Sequence, residues 1–209
     1  MSPLQHNSSS AVDSPEQPVH EFSAEERTLL LRLAHDSVAS ALQSLEIPLD
    51  PPTPHLTESR GVFTSLYLRG ELRGCVGYVL PASSVYRAVA ETARAAAFDD
   101  NRFPAITKDE APQLEIELSI LSPPEPIQAE DIQVGRHGLL ISQHGRRGLL
   151  LPQVPVERNW DRTTFLEQTC RKAGLPSDAW QKGATIHAFT AEIFGDKNLG
   201  DKTLGDKTL

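Results

Sequence analysis

The chain has 209 residues but only two cysteines, Cys75 and Cys170, which lie far apart. Without a CxxC pair, a disulfide framework is excluded, and a reduced, cytoplasmic protein is the simplest expectation. Basic residues are outnumbered, with 20 Lys and Arg against 28 Asp and Glu and a formal net charge of −8. This balance argues against broad binding to nucleic acid or to an anionic membrane, both of which need a basic surface.

Several sequence signals that would indicate a function class are also missing. No apolar run approaches the roughly 18 residues that cross a bilayer, and no basic stretch followed by an apolar run indicates a signal peptide. The chain has no P-loop and no GxGxxG, so nothing predicts a bound nucleotide. The histidines form no HxxxH or HxH pair, so we expect no metal site and no cofactor.

Two segments of biased amino-acid composition flank a stretch that is long enough to form one domain. Residues 1–20 are rich in Ser, Pro and Gln, which is typical of a disordered tail. Residues 196–209 belong to a GDKTL-type repeat that is too short and polar to bury an interface. We therefore expect a single folded domain over residues 21–195.

The patterns within this domain predict an α+β fold. Ser23 and Glu26 fit a capping box at the start of an amphipathic helix of about six turns, and Asp161 fits the cap of a second helix that runs to Ala173. Two hairpins, one alternating strand and a last strand are expected in the segments GVFTSLYL–ELRGCVGYVL, HGLLISQHGRRGLLLP, LEIELSIL and ATIHAFTAEIF. Hairpin connections favour mixed, largely antiparallel sheets with helices packed on them.

The register of the first hairpin follows from its turn. If Arg69–Gly70 is a two-residue turn, strand pairing places Thr64 opposite Cys75 and Leu66 opposite Arg73. Side chains alternate along a strand, so Cys75 and Arg73 are expected on one face. A guanidinium close to a thiol favours the thiolate, which is its reactive form.

Two glycines flank Cys75 in this strand, where glycine usually marks a bulge or a close approach. Gly77 is expected to leave room beside the sulfur, and Gly74 to admit a packed helix on the opposite face. The alternative is structural, because a free cysteine is often a small buried hydrophobe and Arg73 can pair with Glu117 or Asp99.

Four other residues are candidates for the same site. Glu117 lies on the polar face of an alternating strand and is expected to act as a general base or to hold the arginine. In the loop DDNRFP, Arg102 suits bidentate recognition of a carboxylate or phosphate, with Asp99 nearby. His137, in the segment GRHG, is the histidine we expect to activate Cys75 if one does. For each of them the alternative is a solvated or structural residue.

The sequence resembles the AMMECR-type domain family, which includes the AmmeMemoRadiSam system protein A. Its hallmark hexapeptide LRGCIG stands here as Leu72–Gly77 with valine in place of isoleucine. Further similar stretches follow in family order between about Arg60 and Pro176, namely RGVFTSL, DDNRFPAITKDE, LEIELSILSPPEPI, VGRHGLL and GLLLPQVPVERNWDRTTFLEQTCRKAGLP. The resemblance implies a domain with a large and a small lobe, a site at Arg73, Gly74, Cys75 and Gly77, and a shared pathway or complex with a Memo-like protein and a radical SAM enzyme.

Two functions remain open at this point. One is a cleft that binds an unknown small molecule and uses Cys75 chemically, which leaves enzymatic activity undecided. The other is a non-catalytic adaptor or binding module for a protein partner. Nucleic-acid binding through the tip QHGRRG, with Arg146 and Arg147, is a weaker third alternative because the chain is acidic.

Overall fold

The computed structural model describes residues 21–80 and 82–196, which form four α-helices and two four-stranded antiparallel sheets. No helix of this described part is long and apolar enough to span a bilayer. In chain order, the elements are α1 (Ala24–Ala41), β1 (Gly61–Leu68), β2 (Glu71–Tyr78), α2 (Val85–Phe98), β3 (Leu114–Leu121), β4 (Glu125–Pro126), β5 (Gly138–Gln143), β6 (Arg146–Leu150), α3 (Gln153–Glu157), α4 (Arg162–Lys172), β7 (Thr185–Phe189) and β8 (Ala191–Gly195).

The caps predicted for α1 and α4 are confirmed. The Ser23 hydroxyl accepts from the Glu26 N–H at 3.2 Å, and the Glu26 carboxylate accepts from the Ser23 N–H at 3.1 Å. The Asp161 carboxylate accepts from the Thr164 N–H at 2.7 Å and starts α4. These side chains satisfy backbone donors that a helix N-terminus leaves without intrahelical partners.

Each sheet supports its own hydrophobic core. The first lobe consists of the sheet ordered β2-β1-β3-β8 with α1 and α2, and α2 lies on β1 and β2. The second lobe consists of the sheet ordered β4-β7-β5-β6 with α4, which packs on β5 and β6. All strand pairs are antiparallel, so the predicted α+β class with packed helices and two lobes is confirmed.

The segment predicted as one last strand is two strands in different sheets, so that prediction is wrong. β7 belongs to the second lobe and β8 to the first, with Thr190 between them. The chain makes the opposite passage after β3, at Ser122. The Ser122 N–H donates to the Thr190 carbonyl at 3.0 Å and the Thr190 N–H donates to the Ser122 hydroxyl at 3.0 Å, so the two crossings are held together.

A β-bulge changes the predicted register of the first hairpin. Tyr67 pairs with Leu72, as expected, but Leu66 pairs with Gly74, so Arg73 is an extra residue on β2. Beyond the bulge, Cys75 lies opposite Ser65. The prediction of Thr64 opposite Cys75 and Leu66 opposite Arg73 is therefore wrong by one residue.

Candidate functional site

The helix-facing side of β2 explains the first glycine of the hexapeptide. A Cβ at Gly74 would overlap the carbonyl oxygen of Ala96 on α2. The small side chains of α2 let its backbone lie directly on the strand, because Ala93, Ala96 and Ala97 are all buried. The expectation that Gly74 admits a packed helix is confirmed.

The opposite face of the first sheet carries the thiol. Ser65 on β1 pairs with Cys75 on β2 and with Glu117 on β3, so these three half-buried residues form one line across the sheet, here called the thiol row. The Ser65 hydroxyl donates to the Cys75 sulfur at 3.3 Å. Since adjacent strands lie about 4.8 Å apart, Glu117 is about 10 Å from Cys75 across the sheet.

A loop after α2 is bound to the backbone of Cys75 on the outer edge of the sheet. The Asp100 carboxylate accepts from the Cys75 N–H at 2.9 Å, and the Arg102 guanidinium donates to the Cys75 carbonyl at 3.1 Å. Arg102 and Asp100 are joined by hydrogen bonds of 2.9 and 2.7 Å. The pair thus fills the positions that a further strand would take at this edge.

Burial differs sharply within this pair. The Asp100 side chain is 7% exposed, whereas the Arg102 side chain is 60% exposed. Hydrogen bonds from Arg102 and from the Cys75 N–H hold the pKa of Asp100 far below its usual value, so it is a fixed anion. Asp100 therefore anchors a solvent-facing guanidinium beside Cys75.

The cation expected beside the sulfur, Arg73, is directed elsewhere. As the bulge residue it donates to both carboxylate oxygens of Glu110 at 3.1 and 3.3 Å, and to the carbonyls of Pro104 and Ala105. The Arg73 hydrogen bonds lower the pKa of Glu110 to about 2. Arg73 therefore fastens the loop to the sheet, and its structural partner is Glu110 rather than the Glu117 or Asp99 considered from the sequence.

The second glycine of the hexapeptide does not leave an open space next to the thiol. Gly77 pairs with Phe63, and a Cβ at Gly77 would overlap the Phe63 ring. The room expected beside the sulfur is thus filled by an aromatic side chain. Gly77 is required because Phe63 lies flat against the strand.

His137 lies in the second lobe, immediately before β5. Its Nδ1 accepts from the Gln133 N–H at 3.1 Å, and its own backbone N–H donates to the Gln133 carbonyl at 3.0 Å. Burial lowers its pKa, with a smaller contribution from Arg136. Within the described residues, no hydrogen bond joins His137 to Cys75. Its two hydrogen bonds with Gln133 close a turn.

Sequence reasoning missed Asp100, Ser65 and Glu110. Asp99, chosen from the same loop, is exposed and caps the C-terminus of α2 through its backbone N–H. Two adjacent aspartates after a helix give no periodic signal that tells which one turns inward. Ser65 was missed because the bulge shifted the register, and the spacing of Thr107 and Glu110 was a capping signal that could have been noticed.

One described group of side chains has the spacing of a metal site. Potential ligand atoms of Glu21, His55 and Glu58 all lie within 4.8 Å of one another. However, the Arg60 guanidinium donates to both glutamates and is itself buried. A protein cation thus already pairs with both carboxylates of this cluster, so it is explained as an ion-pair network.

The two-lobed architecture and the thiol on an open sheet face define an α+β domain built around Leu72–Gly77. The family model AMMECR1 matches residues 31–194, and the chain belongs to this family. Protein MK0488 of Methanopyrus kandleri is 41% identical over 185 residues, which cover 83% of this chain and 89% of that protein. A protein of Thermococcus gammatolerans is 42% identical over 183 residues, covering 80% and 89%.

A solved structure shares the fold as well as the sequence. The crystal structure of the uncharacterized protein PH0010 from Pyrococcus horikoshii matches with a TM-score of 0.67 and 39% identity, covering 81% of this chain and 90% of that chain. The similarity thus extends over most of both proteins.

Proposed function

We propose that the protein binds a small molecule on the open face of the first lobe and that the Cys75 thiol is its reactive group. The observation that carries the proposal is the convergence of two polar systems on one residue. The thiol row brings the Ser65 hydroxyl to the sulfur, and the Asp100–Arg102 pair holds a guanidinium against the Cys75 backbone.

These groups have complementary chemical roles. A hydroxyl donor and a nearby cation both favour the thiolate, which is the nucleophilic form of cysteine. The Arg102 Nε and Nη2 atoms are engaged, but most of the side chain is exposed, so a ligand oxygen can reach Nη1. Glu117, at the far end of the thiol row, lies about 10 Å from Cys75 and so is too far to take the thiol proton directly; it is proposed as a carboxylate that faces the bound ligand. His137 is not included because its contacts lie in the second lobe.

A competition of the two thiols for an alkylating reagent tests this proposal. Cys170 is an internal control, because it is fully buried and burial raises its pKa. With iodoacetamide at neutral pH, we expect Cys75 to react faster than a free thiol and Cys170 to stay unmodified, as read by mass spectrometry of peptides. If Cys75 reacts no faster than a free thiol, the proposed activation is refuted.

Variants identify the groups that activate the sulfur. Arg102→Gln and Ser65→Ala are each expected to slow alkylation of Cys75 several-fold, by removing a cation or a donor. Arg87→Gln on α2 makes the same charge change at a position away from the thiol row and should leave the rate unchanged. Equal effects of Arg102→Gln and Arg87→Gln would mean that only net charge matters.

A second candidate function is a non-catalytic binding module, with the Memo-like protein or the radical SAM enzyme as the proposed partner. The supporting observation is a set of exposed apolar side chains on or beside edge strand β2, namely Leu72, Tyr78 and Leu80, which are 39, 43 and 41% exposed. A folded Cys75→Ser protein that still complements a deletion strain would favour this function. Failure to complement would favour the thiol.

A further inference from the structure

A separate hollow lies at the turn of the second hairpin, in the other lobe. It has a volume of about 430 Å³ and contains no carboxylate among its lining residues, although acidic residues outnumber basic ones in the chain. It is lined by Leu140, Ser142, Gln143, His144, Gly145, Arg146, Arg147 and Thr185. The lining residues carry two guanidiniums, two hydroxyls, an amide and an imidazole, of which one guanidinium and the amide are bound elsewhere.

Three of these residues form a line across the second sheet. Ser142 on β5 pairs with Arg147 on β6 and with Thr185 on β7. Their side chains point away from the core, because the residue before Ser142 on β5, Ile141, is fully buried on the other face. Two hydroxyls and a guanidinium thus stand side by side.

The hairpin that presents this line is fixed from its other side. The Gln143 side-chain amide donates to the Lys182 carbonyl at 2.9 Å, and the Arg146 guanidinium donates to the Gly174 carbonyl at 2.7 Å. Both side chains are thereby committed to the loops after α4. In the described part of the chain, by contrast, the Arg147 guanidinium has neither a hydrogen-bond nor an ion-pair partner.

We propose that this hollow binds the phosphate-type oxyanion of a small molecule. A guanidinium matches two oxygens of a phosphate, and hydroxyl groups donate to the remaining ones. The volume lies in the range of small-ligand sites, about 300–1,000 Å³. The proposal does not rest on the Cys75 site, since the two groups of residues lie in different lobes.

Titration of the isotope-labelled full chain with inorganic phosphate and with pyrophosphate, followed by NMR, tests the inference. We expect saturable shifts centred on the amides of Ser142, Arg147 and Thr185. Arg147→Gln should weaken this binding at least tenfold. Arg32→Gln on α1 removes the same charge from another exposed position and should leave the affinity unchanged.

The same titrations distinguish a specific phosphate site from unspecific anion binding and from a general contact with polyanions. The proposal would be overturned if the chemical-shift changes spread over all basic residues, or if they grew linearly with phosphate concentration without saturating. Shift changes that are the same in Arg147→Gln as in the wild type would also overturn it. A single-stranded RNA oligonucleotide serves as a third probe. If it binds more tightly than pyrophosphate, with a steep salt dependence and equal losses in Arg147→Gln and Arg171→Gln, the surface is a general polyanion contact and the small-molecule site is refuted. An unchanged amide spectrum of free Arg147→Gln shows that the variant is folded.

Discussion

Apart from the short helix α3 between β6 and α4, the two lobes are built from the same succession of elements. A hairpin, a helix and a further strand occur as β1, β2, α2 and β3 in the first lobe and as β5, β6, α4 and β7 in the second. Both hairpins turn through two residues of positive φ, Arg69–Gly70 and His144–Gly145. Each sheet is completed by a strand from the other half of the chain, with β8 next to β3 and β4 next to β7. The protein thus contains two ββαββ units that exchange their last strands, β4 and β8.

The lobes differ at the position of the thiol row. Counted from the turn, the equivalent line in the second sheet consists of Leu149, Leu140 and His187. The same architecture therefore accepts leucine at two of these three positions. A thiol and a hydroxyl are not needed to build such a sheet, which favours a functional reason for them in the first lobe.

The lobes also differ in the regularity of their hairpins. β5 and β6 pair in unbroken register, whereas β2 has the bulge at Arg73, two residues before the thiol. Bulges are over-represented next to active sites because they redirect side chains. Here the extra residue sends Arg73 to the loop and brings Ser65 opposite Cys75.

The lobes agree in the way that a helix lies on the edge strand. A Cβ at Gly74 would overlap the Ala96 carbonyl of α2, and a Cβ at Gly148 would overlap the backbone at Ala173, the C-cap of α4. We expect Gly74→Ala and Gly148→Ala each to destabilise the protein by about 2–3 kcal/mol, because neither helix backbone can move without repacking its lobe.

Urea denaturation followed by circular dichroism measures this loss. Ser65→Ala, on the opposite face of the first sheet, is the control and should cost less than about 1 kcal/mol, since it removes only a hydrogen bond to sulfur. If one glycine variant proves neutral while the other is severely destabilised, the lobes do not share this packing arrangement.

The next prediction separates the two adjacent aspartates of the loop. Asp100→Asn is expected to slow Cys75 alkylation, but by less than Arg102→Gln, because the neutral amide no longer holds Arg102 by charge while the loss of the Asp100 charge itself favours the thiolate. Asp99→Asn should leave the rate unchanged, as this side chain is exposed. The measurement is the alkylation rate against pH. Equal rates for the two variants would show that Asp100 only supports the loop.

Much of the first lobe could be predicted because its signals are local. The Ser23–Glu26 capping box, the Arg69–Gly70 turn and the alternation of β3 each depend on residues close in sequence. The prediction at Gly74 is also confirmed, because a glycine within a strand usually marks a bulge or a close approach. Gly74 lies next to the bulge at Arg73 and also allows the close approach of α2.

The parts that could not be predicted depend on tertiary contacts. The bulge adds one residue without a distinct local signal, and it moved every later pair of the hairpin by one position. The passage from β7 to β8 occurs at Thr190 within a run of strand-forming residues that has no Gly or Pro. Its position is determined by the pairing with Ser122, about 70 residues away, which local patterns do not contain.

The smallest predicted effect concerns the ion pair that fastens the loop at the bulge, a contact absent from the regular hairpin of the second lobe. The pKa of Glu110 is lowered to about 2 in the folded protein, from an ordinary value near 4.5. A depressed folded pKa contributes stability above the unfolded pKa, and this contribution is lost as pH falls through the folded pKa. Glu110→Gln should therefore lower the free energy of unfolding by about 0.5 kcal/mol near pH 7, a modest value because the pair is partly exposed. The difference in unfolding free energy from the wild type should close as pH falls from about 4.5 to about 2.

Asp109→Asn changes the exposed neighbour and is the control, so its denaturant unfolding curves should show no such convergence with the wild type. A constant difference between Glu110→Gln and the wild type at every pH would show that Arg73 does not pair with Glu110 in solution.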